Sequence, residues 1–264
     1  MKTYITTLLM LVISITTSAQ FMPNEAAYNP AYEKVIQKNK VEAVYLVLSG
    51  SSEEEFNRND TIKTVVYNEK GKPTYLVEPA IDEWDATYVD SFIYNDKGLL
   101  ESVVLNGYDM FDITHQYVYD KKGNIISSQI DGAEARQYTY TTSKNKITEI
   151  VGKLAYMEVD DEGEYTGKVT WSDVERNVYE YDAAGRLSVN TYYYFDEIYS
   201  RAVYAYDAEN RLVEEKTSLG PDDDEDTFYF VSQYRYGDDG LLESLTETNS
   251  NGVSYTYTYV YKKK

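Results

Sequence analysis

A short tyrosine motif recurs along this chain and sets the terms on which it can fold. Its clearest copies are FIYNDKGLL from Phe92, YVYDKKGNI from Tyr117, YEYDAAGRL from Tyr179, YAYDAENRL from Tyr204 and YRYGDDGLL from Tyr234. Weaker copies start at Val65 and Tyr138, and YTYVY from Tyr257 reads as a last half-copy. The second tyrosine of each copy falls at 67, 94, 119, 140, 181, 206, 236 and 259, giving steps of 27, 25, 21, 41, 25, 30 and 23 residues. Repeats of this length are single supersecondary units that bury their apolar face only by stacking on one another. The one long step marks an insertion between Tyr140 and Tyr181.

Each copy reads as a β-hairpin. Tyr-x-Tyr is an alternating strand. Asp182 suits the first position of a type I turn, where its carboxylate accepts from a backbone N–H two residues on. Gly185 falls where a three-residue hairpin loop needs a left-handed residue. Asn210 stands there in the Tyr204 copy, and Asn tolerates that conformation best after Gly. With Asp182 opposite Arg186, Tyr181 should face Leu187 and Tyr179 should face Val189, all four on one side. The same construction pairs Tyr94 with Leu100, Tyr119 with Ile125, Tyr206 with Leu212 and Tyr236 with Leu242. The expected fold is all-β: a single elongated, twisted antiparallel meander of tandem hairpins that curls and whose stability adds repeat by repeat.

The motif Tyr-x-Tyr-Asp-x-x-Gly-Arg-Leu resembles the YD repeat, also called the RHS repeat, of bacterial cell-surface and secreted proteins. The resemblance runs from about Val65 to Tyr261 and is best in the Tyr179 and Tyr204 copies. It implies a curling strip of hairpins. In large family members such a strip wraps a toxic C-terminal domain, and related proteins have been linked to carbohydrate binding. This chain has few repeats for a closed shell, so architecture is what the resemblance carries over.

Composition narrows the function classes. The 264 residues carry 42% hydrophobic and 27% charged side chains, a globular balance. There are 30 Tyr against 7 Phe and 2 Trp, and tyrosine packs its ring while its hydroxyl stays wet. The net charge of -20 repels phosphate backbones and anionic lipid, which argues against nucleic acid as a partner. Cysteine is absent, so disulfides, thiol chemistry and a lipoprotein anchor are excluded. The single histidine, His115, rules out a multi-histidine zinc site and any histidine triad not built on it.

Residues 1–19 read as a secretory signal: Lys2, an apolar run from Tyr4 to Ile15, then Thr17-Ser18-Ala19 with cleavage after Ala19. The expected location is extracytoplasmic, in the periplasm or at the cell surface, with no membrane insertion after cleavage. Residues 20–40 form a lead-in, either loose or holding a short helix that Asn29-Pro30 starts and that ends about Lys38. Val41 to Leu48 is apolar on both faces and reads as a covered strand that opens the repeat array, 41–264. The insertion, about 146–177, reads as an elongated extra hairpin. Longer connections, such as 78–89, 106–113 and 218–226, should project from the edge opposite the repeat turns.

No catalytic motif is present, and Asp120, Asp182 and Asp207 recur at one turn position, which is turn chemistry rather than catalysis. No cofactor is expected. Asp222, Asp224 and Asp226 lie in an acidic run and form a weak calcium candidate without EF-hand spacing; the plainer account is a solvated loop. Trp84, Trp171, Tyr192, Tyr193, Tyr194 and Phe195 lie in or beside the long connections and are candidate sugar-stacking residues. Ordinary sheet packing is the competing account of the same side chains. The sequence thus favours an exported, non-catalytic binding or surface-interaction module, with carbohydrate or an envelope protein as partner. The alternative is a structural spacer or protein-interaction component of the cell envelope with no small ligand. A carboxylate-only hydrolase would require two buried, facing carboxylates.

Overall fold

The computed structural model describes residues 30–51, 60–79, 87–106, 112–159, 165–220 and 229–264. Among the described residues one helix, α1 (Pro30–Lys38), precedes sixteen strands. These are β1 (Val41–Ser51), β2 (Asp60–Tyr67), β3 (Pro73–Glu78), β4 (Tyr88–Tyr94), β5 (Leu100–Asn106), β6 (Ile113–Tyr119), β7 (Ile125–Ile130) and β8 (Ala133–Ser143). They continue with β9 (Lys146–Val159), β10 (Tyr165–Tyr181), β11 (Leu187–Tyr194), β12 (Glu197–Tyr206), β13 (Leu212–Leu219), β14 (Phe230–Tyr236), β15 (Leu242–Asn249) and β16 (Ser254–Lys263). The proposed signal segment lies outside the described residues.

The strands form a closed antiparallel barrel, not the open elongated meander expected from the repeats. β1 pairs with β2 on one side and with β16 on the other, Val44 opposite Tyr261 and Leu46 opposite Tyr259. Closure removes both free edges of the strip, each a row of unpaired N–H and C=O groups. Val41–Leu48 is therefore apolar because it is the seam of the barrel. A ring also has no terminal repeat, so the expected repeat-by-repeat additivity gives way to a sheet in which opening any hairpin breaks the circle.

The local cause of closure is a bulge repeated at six repeat turns. Tyr181 pairs with Leu187 as expected, but the next pair is Glu180 with Val189, so one residue of β11 is extra. Tyr179 consequently faces Asn190 and not Val189. The same shift follows Tyr67–Pro73, Tyr94–Leu100, Tyr119–Ile125, Tyr206–Leu212 and Tyr236–Leu242. A bulge bends its strand and raises the local twist. Placed at one height in successive hairpins, it coils the whole strip in one sense. Inward residues on the return strands therefore fall three apart: Leu100 and Val103, Leu212 and Glu215, Leu242 and Leu245 are all buried.

The turns follow the sequence logic. Asp120 Oδ1 accepts from the Lys122 and Asn124 amides at 2.7 and 2.9 Å, and Asp207 Oδ1 from Glu209 and Arg211 at 3.0 and 2.8 Å. Gly185 and Asn210 both hold positive φ, 82° and 63°. The Tyr138 copy differs: its turn is the two-residue Lys144-Asn145, both at positive φ.

Successive repeats are joined through their tyrosines. The Tyr119 hydroxyl donates to the Leu100 carbonyl at 2.6 Å, Tyr181 to Ile147 at 2.7 Å and Tyr261 to Leu242 at 2.6 Å. The cation closing one turn lies over the tyrosine ring of the next: Lys72 over Tyr94, Arg186 over Tyr206 and Arg211 over Tyr236, at 5.0, 4.9 and 5.1 Å. Each such contact contributes roughly 0.5–1 kcal/mol.

Helix α1 sits on the repeat-turn end and clasps the first repeat to the last. Glu33 pairs with Lys72 at 3.1 Å, and Asn39 Nδ2 donates to the Asp239 carbonyl at 3.2 Å. Tyr32 accepts from the Leu242 amide at 2.8 Å and shares a 2.7 Å hydrogen bond with Tyr261. Ile36, only 1% exposed, completes this contact. Gly71, at φ 75°, lets the turn meet the helix: a Cβ there would overlap the Glu33 carbonyl oxygen. Gly71→Ala is expected to cost roughly 1–3 kcal/mol. Thermal denaturation should show the loss, with amide exchange accelerated across Tyr32–Lys38 while the β-sheet circular-dichroism signal persists.

Candidate functional site

The repeat specifies two inward layers at the α1 end and leaves the third free. The second tyrosine of each copy and its aliphatic partner form the first layer. Phe92, Tyr179, Tyr204 and Tyr234 belong to the second, and all four are buried. Alternation places the residue two before each of them on the same inner face. Those third-layer positions are Lys63, Asp90, His115, Arg136, Asn177, Ala202 and Ser232, joined by Tyr257, because Tyr261 and not Tyr259 plays the second tyrosine of the last half-copy, its hydroxyl taking the Leu242 carbonyl. On the return strands the inner face adds Glu78, Tyr192, Thr217 and Glu247. This layer is polar where the two below it are mainly aromatic and aliphatic.

Its charges are held in specific arrangements. Lys63 pairs with Glu78 at 2.9 Å. Arg136 reaches over Gly152 to Glu175 at 3.4 Å; Glu175 itself is buried. Glu215, Ser232 and Glu247 lie side by side across β13, β14 and β15. Burial pushes the Glu215 carboxyl up to about 7; the Tyr234 hydroxyl at 3.3 Å works against that shift and the Glu247 charge adds to it. Burial raises Glu247 as well, against a hydrogen bond from Tyr257. Burial likewise raises Asp90 to about 6, with Glu78 adding to the shift, and Asp90 Oδ1 has no hydrogen-bond partner among the described residues. His115 is shifted down, first by burial and then by Arg136, which favours its neutral form.

Beyond this layer, at the end opposite α1, aromatic rings gather. Tyr192, Tyr194 and Phe195 come from β11 and its turn, and Tyr199 from the bulged start of β12. Phe195 and Asp196 form a two-residue turn at φ 49° and 64°. Tyr192 and Tyr199 meet edge to face at 5.7 Å, Tyr194 and Tyr199 at 6.5 Å, and Tyr194 and Phe195 at 4.7 Å. Phe195 and Tyr199 remain 53% and 57% exposed. Glu175 lies opposite Tyr194 in the sheet, and Glu197 opposite it on the other side. The Tyr192 hydroxyl is buried without a hydrogen-bond partner among the described residues.

The structure thus brings Tyr192, Tyr194 and Phe195 together and separates the other candidates. Tyr193 points outward, with the Arg176 guanidinium stacked on it at 3.8 Å. Trp171 pairs with Ala155 where β9 and β10 extend past their neighbours as a two-stranded projection, on the face away from the lumen. Trp84, Asp222, Asp224 and Asp226 lie outside the described residues. Tyr199, Glu175, Arg136 and the third-layer carboxylates escaped the sequence reading. Aligning the residue two before each first tyrosine would have exposed the layer.

The outer wall carries ion pairs interspersed with exposed apolar side chains such as Tyr75, Ile93 and Val260. Glu149–Arg176, Glu214–Lys216, Glu42–Lys262 and Arg235–Glu243 ion pairs lie on it at 3.6, 3.0, 2.9 and 3.3 Å. Gln116 and Gln233 are exposed between them. A lipid-facing barrel wall instead carries an apolar band, where a basic residue at the midplane costs about 2–4 kcal/mol.

Neither a protein-family model nor a curated protein matches the sequence. Among solved structures the chain is similar to a porin-like protein from Bacteroides uniformis ATCC 8492, at 13% identity and TM-score 0.49, over 84% of this chain and 98% of that one. It is similar to a porin-like protein from Bacteroides vulgatus ATCC 8482, at 12% identity and TM-score 0.40, over 84% and 98%. It is also similar to TcdB2-TccC3, at 13% identity and TM-score 0.29, over 81% of this chain and 13% of that one. These likenesses are too loose to carry an argument about what the chain does.

Glu215 supplies a pH test. The folded protein holds this proton up to about pH 7, whereas the unfolded chain releases it near 4.3. Stability from proton uptake is therefore full below about pH 4.3 and is lost as pH rises through about 7. Glu215→Gln keeps an acceptor for Tyr234. It should stabilise the protein by on the order of 3 kcal/mol at pH 8 and change little at pH 4, read by chemical denaturation at both pH values.

Proposed function

We propose that this protein is an exported, non-catalytic binding barrel of YD-like repeats whose ligand is a saccharide. The observation that carries this reading is the cluster of Tyr192, Tyr194, Phe195 and Tyr199 beside Glu175 and Arg136. Exposed rings stack on the apolar faces of sugars, and bordering carboxylate and guanidinium groups bind their hydroxyls. Barrel mouths are a common place for such sites. The signal-like residues 1–19 support an extracytoplasmic location, and the charged outer wall supports a barrel that faces water rather than lipid.

A hydrolase would rest on Glu215 and Glu247. Both are engaged by tyrosine hydroxyls of neighbouring strands, which favours a structural role for them. A protein-contact role has the β9–β10 projection in its favour, where Tyr156 and Val169 are 40% and 50% exposed.

The test is isothermal titration against a panel of neutral and charged oligosaccharides. Tyr199→Ala with Phe195→Ala should weaken binding at least about tenfold, a loss of about 1.4 kcal/mol. Trp171→Ala, on the other face of the projection, should leave binding unchanged. Loss of binding in the Trp171 variant alone would move the site to the projection.

A further inference from the structure

The lumen side of the barrel is short of positive charge. Among the described residues its two cations there, Lys63 and Arg136, are each held by a carboxylate, Glu78 and Glu175. Asp90, Glu215 and Glu247 have no ion-pair partner among the described residues, but burial raises all three, Asp90 to about 6 and Glu215 to about 7, so the negative charge open to a ligand rests on exposed carboxylates and on the net charge of -20. At the aromatic cluster the balance is the same. Glu175 faces Tyr194 from β10 and Glu197 faces it from β12, while Asp196 occupies the turn beside Phe195. Asp196 and Glu197 are exposed and have no cation within ion-pair distance among the described residues. The nearby Arg176 is turned to the outer wall, where it stacks on Tyr193 and pairs with Glu149.

Aromatic faces next to unpaired carboxylates select cations. The ring quadrupole attracts an ammonium group to its face, and the carboxylates supply the long-range field. An acidic saccharide would meet only repulsion at this end, and a neutral one would gain stacking but nothing from the charge. Resting on the saccharide reading above, we propose that the sugar bound by the Tyr192–Tyr194–Phe195–Tyr199 platform is cationic, an oligosaccharide with free amino groups. The exposed faces of Tyr199 and Phe195 stack the sugar rings, and Asp196 and Glu197 hold the ammonium groups.

The test is titration of the purified protein at pH 6 with a glucosamine hexamer, the N-acetylglucosamine hexamer and a hexamer of galacturonic acid. The glucosamine hexamer should bind at least about tenfold tighter than its acetylated counterpart, and the uronic acid should not bind. Asp196→Asn with Glu197→Gln should erase most of that preference while leaving the acetylated hexamer's affinity unchanged; Asn suits the positive φ of position 196. Tyr199→Ala should weaken glucosamine binding about tenfold. Equal or tighter binding of the acetylated hexamer would overturn the charge proposal and leave the saccharide reading standing. Glucosamine binding that ignores Tyr199→Ala would overturn the platform, the polycation being drawn to the acidic surface at large. Failure of every hexamer to bind would remove the saccharide reading and this proposal together.

Discussion

One extra residue per hairpin, inserted directly after the pair that flanks each repeat turn, governs the rest of this structure. Without it, alternation would carry Tyr179 opposite Val189 and the sheet would have only its ordinary twist. With it, the return strand rotates by one residue, and Tyr179 meets Asn190 instead. Six hairpins then coil by the same device at the same height, the Tyr138 copy carrying its bulge two pairs from its turn. Coiling in one sense brings the far end of the strip back to β1, where Val44 and Leu46 find Tyr261 and Tyr259. The bulge therefore decides both the closure and which side chains line the interior.

Closure is reinforced at the end where the turns gather. A cation leaving one turn covers the tyrosine of the next at Tyr206 and Tyr236, and in other repeats the tyrosine hydroxyl donates to a carbonyl of a neighbouring strand, as Tyr119 and Tyr181 do. These are small contributions that act in series around a ring. Helix α1 adds a clasp between the turns of the first and last clear repeats, through Glu33, Asn39 and Tyr32. Gly71 and Gly240 flank it, both at positive φ, and at Gly71 the lack of a side chain lets the helix approach the turn.

The interior changes character along the barrel axis. The two layers written by the repeat are filled with rings and aliphatics and supply the core. The third layer is written by no repeat, and at and beside it the chain buries Glu175 and Glu215 and half-buries Asp90, Arg136 and Glu247. Burying such groups opposes folding unless they are paired or protonated, and the upward shifts of Glu215 and Asp90 record that opposition.

The sequence by itself determined the hairpin unit, its turn chemistry and the pairing of Tyr181, Tyr94 and Tyr206 with their aliphatic partners, because these are local and recur. It also pointed to the helix start at Pro30 and to Tyr192, Tyr194 and Phe195 as aromatics beside a long connection. It did not determine the bulge, since Ser188 looks like any alternating strand residue and its displacement depends on how neighbouring hairpins stack. For the same reason closure was illegible: the pairing of β1 with β16 joins segments more than two hundred residues apart, and no local pattern encodes it. The union of Arg136 with Glu175, and of Tyr199 with Tyr192, is likewise a product of register across adjacent strands. Tertiary structure alone turned a list of repeats into a lumen with an inside, because only a closed sheet fixes which face of every strand looks inward.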